Sequence, residues 1–70
     1  MPHNVYVRFE KENIVKECGP FSSVRVNEYW VEATRSVLGG YRTIGYRTHD
    51  TWKICLGDGT AFERVVVSSK

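Results

Sequence analysis

The sequence lacks the features that would place it in a membrane, in a disulfide scaffold or in a secretory pathway. Its 70 residues contain no apolar run near the roughly 20 residues that span a bilayer, and the start MPHNVYVRF has neither region of a signal peptide. The two cysteines, Cys18 and Cys55, are too few for a disulfide framework, and we expect both to stay reduced. These absences predict a cytoplasmic protein, in the host cytoplasm if a phage encodes it.

Motifs of catalysis and metal binding are also missing. The chain has no phosphate loop, no G-x-S-x-G elbow, no H-E-x-x-H and no Cys-x-x-Cys. His49, Asp50 and a cysteine have the side-chain types of a base and a nucleophile, but neighbouring residues of a turn usually diverge. Two histidines and two cysteines are zinc-ligand types without the short paired spacings of zinc sites: His3, Cys18, His49 and Cys55. We therefore predict no enzyme activity, no cofactor and no metal site.

The stretch Ser22 to Gly40, SSVRVNEYWVEATRSVLGG, is interpreted as the only helix. A period of 3.6 residues places most of its apolar side chains on one arc, whereas strict alternation is lost at Asn27 and Glu28. A serine can cap the start, and Gly39 can cap the end. The helix is predicted over residues 23–38, with a buried arc formed by Tyr29, Trp30, Val31, Ala33, Val37 and Leu38.

Patterns typical of strands flank this stretch. Residues 4–10 alternate, with Val5, Val7 and Phe9 on one buried face, and the polar residues 11–13 predict a hairpin turn. The returning strand is expected to end at Gly19-Pro20, because proline cannot donate to a strand ladder. Asp58-Gly59 favours a tight turn with positive φ. The remaining predicted strands cover residues 14–18, 41–48, 51–57 and 60–67, with Trp52, Ile54 and Leu56 on one face.

Together these elements predict a single α+β domain over residues 1–70. The order is β-β-α-β-β-β, and the helix covers one face of a mainly antiparallel sheet of about five strands. The alternative for residues 23–38 is a long bulged strand that runs into a hairpin at Gly39 and Gly40. In that case the chain would form an all-β small barrel of the SH3-like or OB-like kind.

Charge is unevenly distributed, although the net charge is only +2. No acidic residue occurs between Ala33 and His49, an interval that contains three arginines. Arg47, Lys53 and Tyr41 are expected to share an exposed sheet face. A basic face with an aromatic ring can bind phosphates and stack on bases. A nucleic-acid-binding domain is therefore the alternative function, with four basic residues as its candidates: Arg35, Arg42, Arg47 and Lys53.

A protein partner is the simpler hypothesis, because a small domain without its own chemistry acts most directly by occupying a surface. Tyrosine and arginine dominate the energetics of such surfaces. We predict a non-enzymatic binding module, an inhibitor or regulator of the kind found among phage and mobile-element accessory proteins, an analogy of size alone. A homo-oligomer that sequesters a small ligand between subunits is a third hypothesis. The candidate partner-binding residues are Arg42, Arg47, Tyr41, Arg35, Lys53, Tyr6 and Arg8.

Overall fold

The computed structural model describes residues 3–36 and 38–69, which form two antiparallel sheets. The three-stranded sheet contains β1 (Val5–Lys11), β2 (Ile14–Phe21) and β7 (Arg64–Ser69), in the order β2-β1-β7. The four-stranded sheet contains β3 (Ser23–Val26), β4 (Trp30–Thr34), β5 (Arg42–Thr48) and β6 (Thr51–Ile54), in the order β3-β4-β5-β6. The described residues contain no helix, so this part of the chain is all-β. None of it could therefore cross a bilayer as a helix.

The prediction of an α+β fold with a helix over residues 23–38 is wrong, and the alternative of an all-β small barrel is closer. In place of the helix, β3 and β4 form an antiparallel hairpin in which Val24 pairs with Ala33 and Val26 with Val31. Trp30, which the helical arc would bury, is 42% exposed. Val37, another member of that arc, lies outside the described residues.

The turn of this hairpin explains why the helical pattern was misleading. The Asn27 Oδ1 atom accepts hydrogen bonds from the backbone N–H groups of Tyr29 (2.8 Å) and Trp30 (2.9 Å). The Asn27 N–H donates to the Trp30 carbonyl at 3.1 Å and closes the turn. Alternation therefore breaks at Asn27 because the chain reverses there, and it holds within each arm. The strand-forming preference of tyrosine, tryptophan and valine agrees with this hairpin.

The prediction for β1 is confirmed for Val7 and Phe9, which are both fully buried, whereas Val5 at the start of the strand is half-buried. The hairpin of β1 and β2 is also confirmed, with Lys11 paired to Ile14 across the turn. The left-handed residue of that turn is Glu12, with φ of 49°. Alternation on a half-buried strand was thus sufficient to identify the inward side of this sheet.

Three predicted strand ends differ from the structure by three or more residues. β2 continues through Gly19 and Pro20 to Phe21, because its pairing with β1 shifts register there, from Val7 opposite Cys18 to Val5 opposite Phe21, and edge strands and bulges accommodate proline. β6 ends at Ile54, which leaves Leu56 fully exposed instead of on the face of Trp52. β7 begins at Arg64, so residues 60–63 precede it as an irregular segment. Gly59 has the expected positive φ, 88°.

One core lies between the two sheets. Its buried members come from both sheets and from the segment before β7. Phe9 and Phe62 contact each other with ring centroids 5.9 Å apart, and an isolated bridge between Trp52 and Phe62 links β6 to that segment. The outer side of the four-stranded sheet is therefore free of covering strands in the described chain. The buried hydrophobic residues are Val7, Phe9, Phe21, Val31, Ala33 and Phe62.

Candidate functional site

The outer side of the four-stranded sheet carries an exposed aromatic surface. Trp30 on β4 pairs directly with Tyr46 on β5, and Tyr46 pairs with Lys53 on β6. Residues directly opposite in an antiparallel pair share a face, so these three side chains form one row across the sheet. We call the surface the aromatic face and define it by Tyr29, Trp30, Tyr41, Tyr46, Arg25, Glu32, Thr43 and Lys53.

The rings of the aromatic face are accessible. Tyr29 is 62% exposed, and Trp30 and Tyr46 are each 42% exposed. Tyr29 lies in the hairpin turn with its ring centroid 6.2 Å from that of Trp30. The Arg47 N–H donates to the Tyr29 carbonyl at 2.7 Å and ties the turn to β5. Single exposed apolar side chains are common on proteins, whereas a contiguous group of them marks an interaction surface.

Charges on the aromatic face largely cancel. Arg25 forms an ion pair with Glu32 at 3.4 Å, and its guanidinium lies 3.7 Å from the centroid of the Tyr41 ring. The Tyr41 hydroxyl shares a hydrogen bond of 2.6 Å with the Ser23 hydroxyl. Lys53 makes no ion pair with any residue in the described ranges. The surface is thus aromatic, with one unneutralised cation at its edge.

A bulge in β5 separates the basic residues that the sequence placed together. Val31 pairs with Gly45, but Glu32 pairs with Thr43, so one extra residue of β5 lies between them. The insertion reverses the side-chain phase of the strand after Ile44. Tyr46 consequently faces outwards beside Lys53, while Arg47 pairs with Trp52 on the opposite side.

The predicted binding residues therefore occupy four different places. Tyr41 and Lys53 belong to the aromatic face. Arg47 forms an ion pair with Asp50 at 3.9 Å near the turn between β5 and β6. Arg35 and Arg42 line a cleft between the sheets. Tyr6 and Arg8 both lie on β1, in the other sheet.

Tyr6 and Arg8 on β1 make contacts within their own sheet, unlike the exposed rings of the aromatic face. The Tyr6 ring is so close to Gly19 that a Cβ there would lie 3.0 Å from Tyr6 Cδ2. Arg8 forms an ion pair with Glu10 at 3.4 Å, and Glu10 also pairs with Arg64 at 2.8 Å. These contacts leave β1 with less accessible aromatic surface than the opposite sheet.

The residues considered for catalysis or metal binding are dispersed. His49 occupies the turn after β5 with φ of 57°, and Asp50 beside it pairs with Arg47. Within residues 3–36 and 38–69, no three His, Cys, Asp or Glu side chains are placed to hold a metal ion. Cys18 and Cys55 are free thiols, and both line the cleft between the sheets.

Sequence reasoning missed Tyr29, Trp30 and Tyr46 as surface residues, since the helical interpretation assigned the first two to the core. The available signal was Asn27, whose side chain favours turns, between two short runs that each alternate. The chain matches no protein-family model, no curated protein and no solved structure.

Burial changes the pKa of the Cys18 thiol, and this change can be measured through the pH dependence of its alkylation. Desolvation raises the pKa of the Cys18 thiol, an effect that Glu17 adds to and Lys16 opposes. Because the thiolate is the reactive form, we expect the pH–rate profile for iodoacetamide alkylation of Cys18 to shift to higher pH in the folded protein than in urea. Peptide mapping by mass spectrometry separates Cys18 from Cys55. Coincident folded and unfolded profiles would contradict the burial of this thiol.

The same pKa shift defines a stability effect with a definite sign. The folded state holds the Cys18 proton more tightly than the unfolded state does. The contribution to stability is therefore complete below the pKa of the unfolded thiol and is lost as the pH rises through the folded pKa. Both pKa values of this thiol lie above neutral pH, so the free energy of unfolding changes for this reason only in alkaline solution.

Proposed function

We propose that the protein is a non-enzymatic binding module, an inhibitor or regulator, that binds a protein partner through the aromatic face. The observation that supports this proposal is the row formed by the exposed Trp30 and Tyr46 with the half-buried Lys53, and with the exposed Tyr29 beside it. Tryptophan, tyrosine and arginine are the residue types that most often dominate the energy of protein interfaces. Partner binding would remove from water an aromatic surface that the fold leaves uncovered.

The charge of the aromatic face favours a protein over a nucleic acid. Phosphate binding requires several unneutralised cations, since each contacted phosphate releases counterions and adds to the salt dependence. Arg25 is paired with Glu32, and Lys53 remains as the one cation of the face without an ion pair in the described ranges. The partner's contact surface is therefore expected to be mainly apolar, with an acidic group opposite Lys53.

The experiment compares three proteins in affinity capture from a lysate of the cells that contain the partner. These are the unmodified chain, the double variant Trp30→Ala/Tyr46→Ala, and a control, Val15→Ala. Val15 is also exposed but lies on β2 of the other sheet. We expect the unmodified chain and the control to retain the same protein through nuclease treatment and high salt. The double variant should lose that protein.

The captured partner then allows the affinity to be measured. Interface hot spots contribute at least about 2 kcal/mol each. We therefore expect the double variant to have a dissociation constant more than about 30-fold higher than that of the unmodified chain. Calorimetry with purified components measures this change. An unchanged affinity, or capture of proteins that disappear after nuclease treatment, would contradict binding of a protein through this face.

The stability of the variant provides the necessary control. Trp30 and Tyr46 form an exposed cross-strand pair, and such pairs contribute roughly 0.2–1 kcal/mol. We therefore expect the Trp30→Ala change to lower the free energy of unfolding by no more than about 1 kcal/mol. Urea denaturation followed by circular dichroism measures it. A loss of about 3 kcal/mol or more would place Trp30 in a core.

A further inference from the structure

A cleft of about 620 Å³ opens between the two sheets, on a different part of the surface from the aromatic face. Its volume lies within the roughly 300–1,000 Å³ that is usual for sites of small organic molecules. The walls come from the end of β2, the end of β4, the start of β5 and the turn after β6. The apolar lining consists of Phe21, Ala33, Ile44 and Ile54, with the thiols of Cys18 and Cys55.

Two guanidinium groups lie at this cleft. Arg42 pairs with Ala33 in the sheet, so its side chain is on the side of the sheet that faces the cleft. It is exposed, and it makes no ion pair or hydrogen bond within the described ranges. Arg35 donates from Nε to the Pro20 carbonyl at 3.3 Å and keeps its guanidinium 5.1 Å from the centroid of the Phe21 ring.

The charge balance at the cleft favours an anion. Glu17 is the one acidic side chain of the described lining, against the two arginines. A guanidinium binds a carboxylate through two parallel hydrogen bonds, which adds both energy and orientation. An anionic group at Arg42 would place an attached apolar chain against Ile44 and Ala33.

Leu56 at the edge of the cleft adds an independent observation. Its side chain is fully exposed and its φ is 61°, a left-handed conformation that costs energy for any residue with a Cβ atom. The turn is held by a hydrogen bond of 3.0 Å from the Gly57 N–H to the Ile54 carbonyl. An apolar molecule in the cleft would cover part of this leucine, which water now surrounds.

We propose that the cleft binds a small amphipathic carboxylate, with its alkyl or aromatic part between the sheets and its carboxylate on Arg42. This inference does not depend on the proposed function, because the cleft and the aromatic face share no residue except Thr43. The ligand class follows from an apolar cleft of small-molecule size whose mouth carries a guanidinium without a partner among residues 3–36 and 38–69.

Decanoate is a suitable probe, and decanol, which has the same chain without the charge, is its control. We expect decanoate, below its micelle concentration, to bind one-to-one and about tenfold more tightly than decanol, since a charge-assisted hydrogen bond contributes about 1.5 kcal/mol or more. Amide NMR shifts should concentrate at Ala33, Ile44 and Ile54. Bound decanoate should also slow alkylation of Cys55.

Two arginine variants make the test specific. Arg42→Gln should reduce the affinity for decanoate to that for decanol, whereas Arg47→Gln, which alters an arginine outside the cleft, should leave it unchanged. Both residues are exposed, and thermal unfolding verifies that each variant folds. Equal affinities for decanoate and decanol, an unaltered affinity in Arg42→Gln, or shifts confined to the aromatic face would each overturn the proposal.

Discussion

Replacing Phe9 with alanine is expected to lower the free energy of unfolding by about 3–5 kcal/mol. Phe9 is fully buried, its ring contacts Phe62, and it lies against Gly45 of the facing sheet. Removal of the ring would leave a cavity where the two sheets meet. A single core in a domain of about 70 residues rarely supplies more than about 3–5 kcal/mol of stability, so most molecules of this variant would be unfolded. Urea denaturation followed by circular dichroism measures the loss.

Two controls define the Phe9 result. Phe9→Leu keeps most of the apolar volume and should cost clearly less than the alanine change. Val15→Ala removes an exposed side chain from β2 and should change stability by about 0.5 kcal/mol or less. If Phe9→Ala cost less than about 1 kcal/mol, the two sheets would not share the core described above.

Replacing Gly45 with alanine is expected to cost about 1–3 kcal/mol, because the new methyl group would overpack the core. An added Cβ would lie 2.7 Å from Phe9 Cζ, 2.8 Å from Phe9 Cε2 and 3.1 Å from the Lys53 carbonyl oxygen. Gly45 is therefore required for the close approach of β5 to the Phe9 ring. Chemical denaturation of the purified variant measures the effect.

A double-mutant cycle isolates the contact between Gly45 and Phe9. In a Phe9→Leu background the clashing ring atoms are absent, so Gly45→Ala should cost at least about 1 kcal/mol less than in the unmodified protein. Gly39→Ala is the matched control, since its Cβ would meet the nearest Ser36 atoms at an ordinary 3.6 Å. Strict additivity of the Phe9 and Gly45 changes would show that another neighbour causes the loss.

The four predicted basic residues lie in three places, because Arg47 near the turn between β5 and β6 belongs neither to the aromatic face nor to the cleft. Lys53 lies beside exposed rings, whereas Arg35 and Arg42 lie at an apolar cleft. A nucleic-acid interface would need these cations along one surface to follow a phosphate backbone. Because these cations are separated, the aromatic face consists mainly of aromatic rings. This composition supports the proposal of a protein partner.

Residues 22–40 show where reasoning from local pattern failed. A hairpin whose arms alternate in different phases can imitate a helical period when its turn is short. The apolar residues on both sides of Asn27 satisfied the helical arc, yet the Asn27 side chain bonds the backbone of its own turn. The preference of tyrosine, tryptophan and valine for strands agreed with the hairpin, whereas the periodicity of the apolar residues indicated a helix.

The candidate site was less accessible to prediction than the fold elements. Tyr41 and Lys53 were identified as exposed sheet residues, but Trp30 was assigned to a core. The bulge at Ile44 then changed the phase of β5, so that Tyr46 joined Lys53 and Arg47 did not. A glycine inside a strand, such as Gly45, often marks a bulge, but the direction in which a bulge turns the following side chains depends here on the pairing with β4.

The amino-acid sequence alone determined the buried side of β1, the hairpin with β2 and the positive φ at Gly59. These features depend on neighbouring residues: side chains alternate along a strand, and glycine adopts left-handed angles freely. Only the tertiary structure decided which rings are exposed and which arginines line the cleft. Those outcomes depend on the register between strands and on the packing of one sheet against the other, which are contacts between residues far apart in the chain.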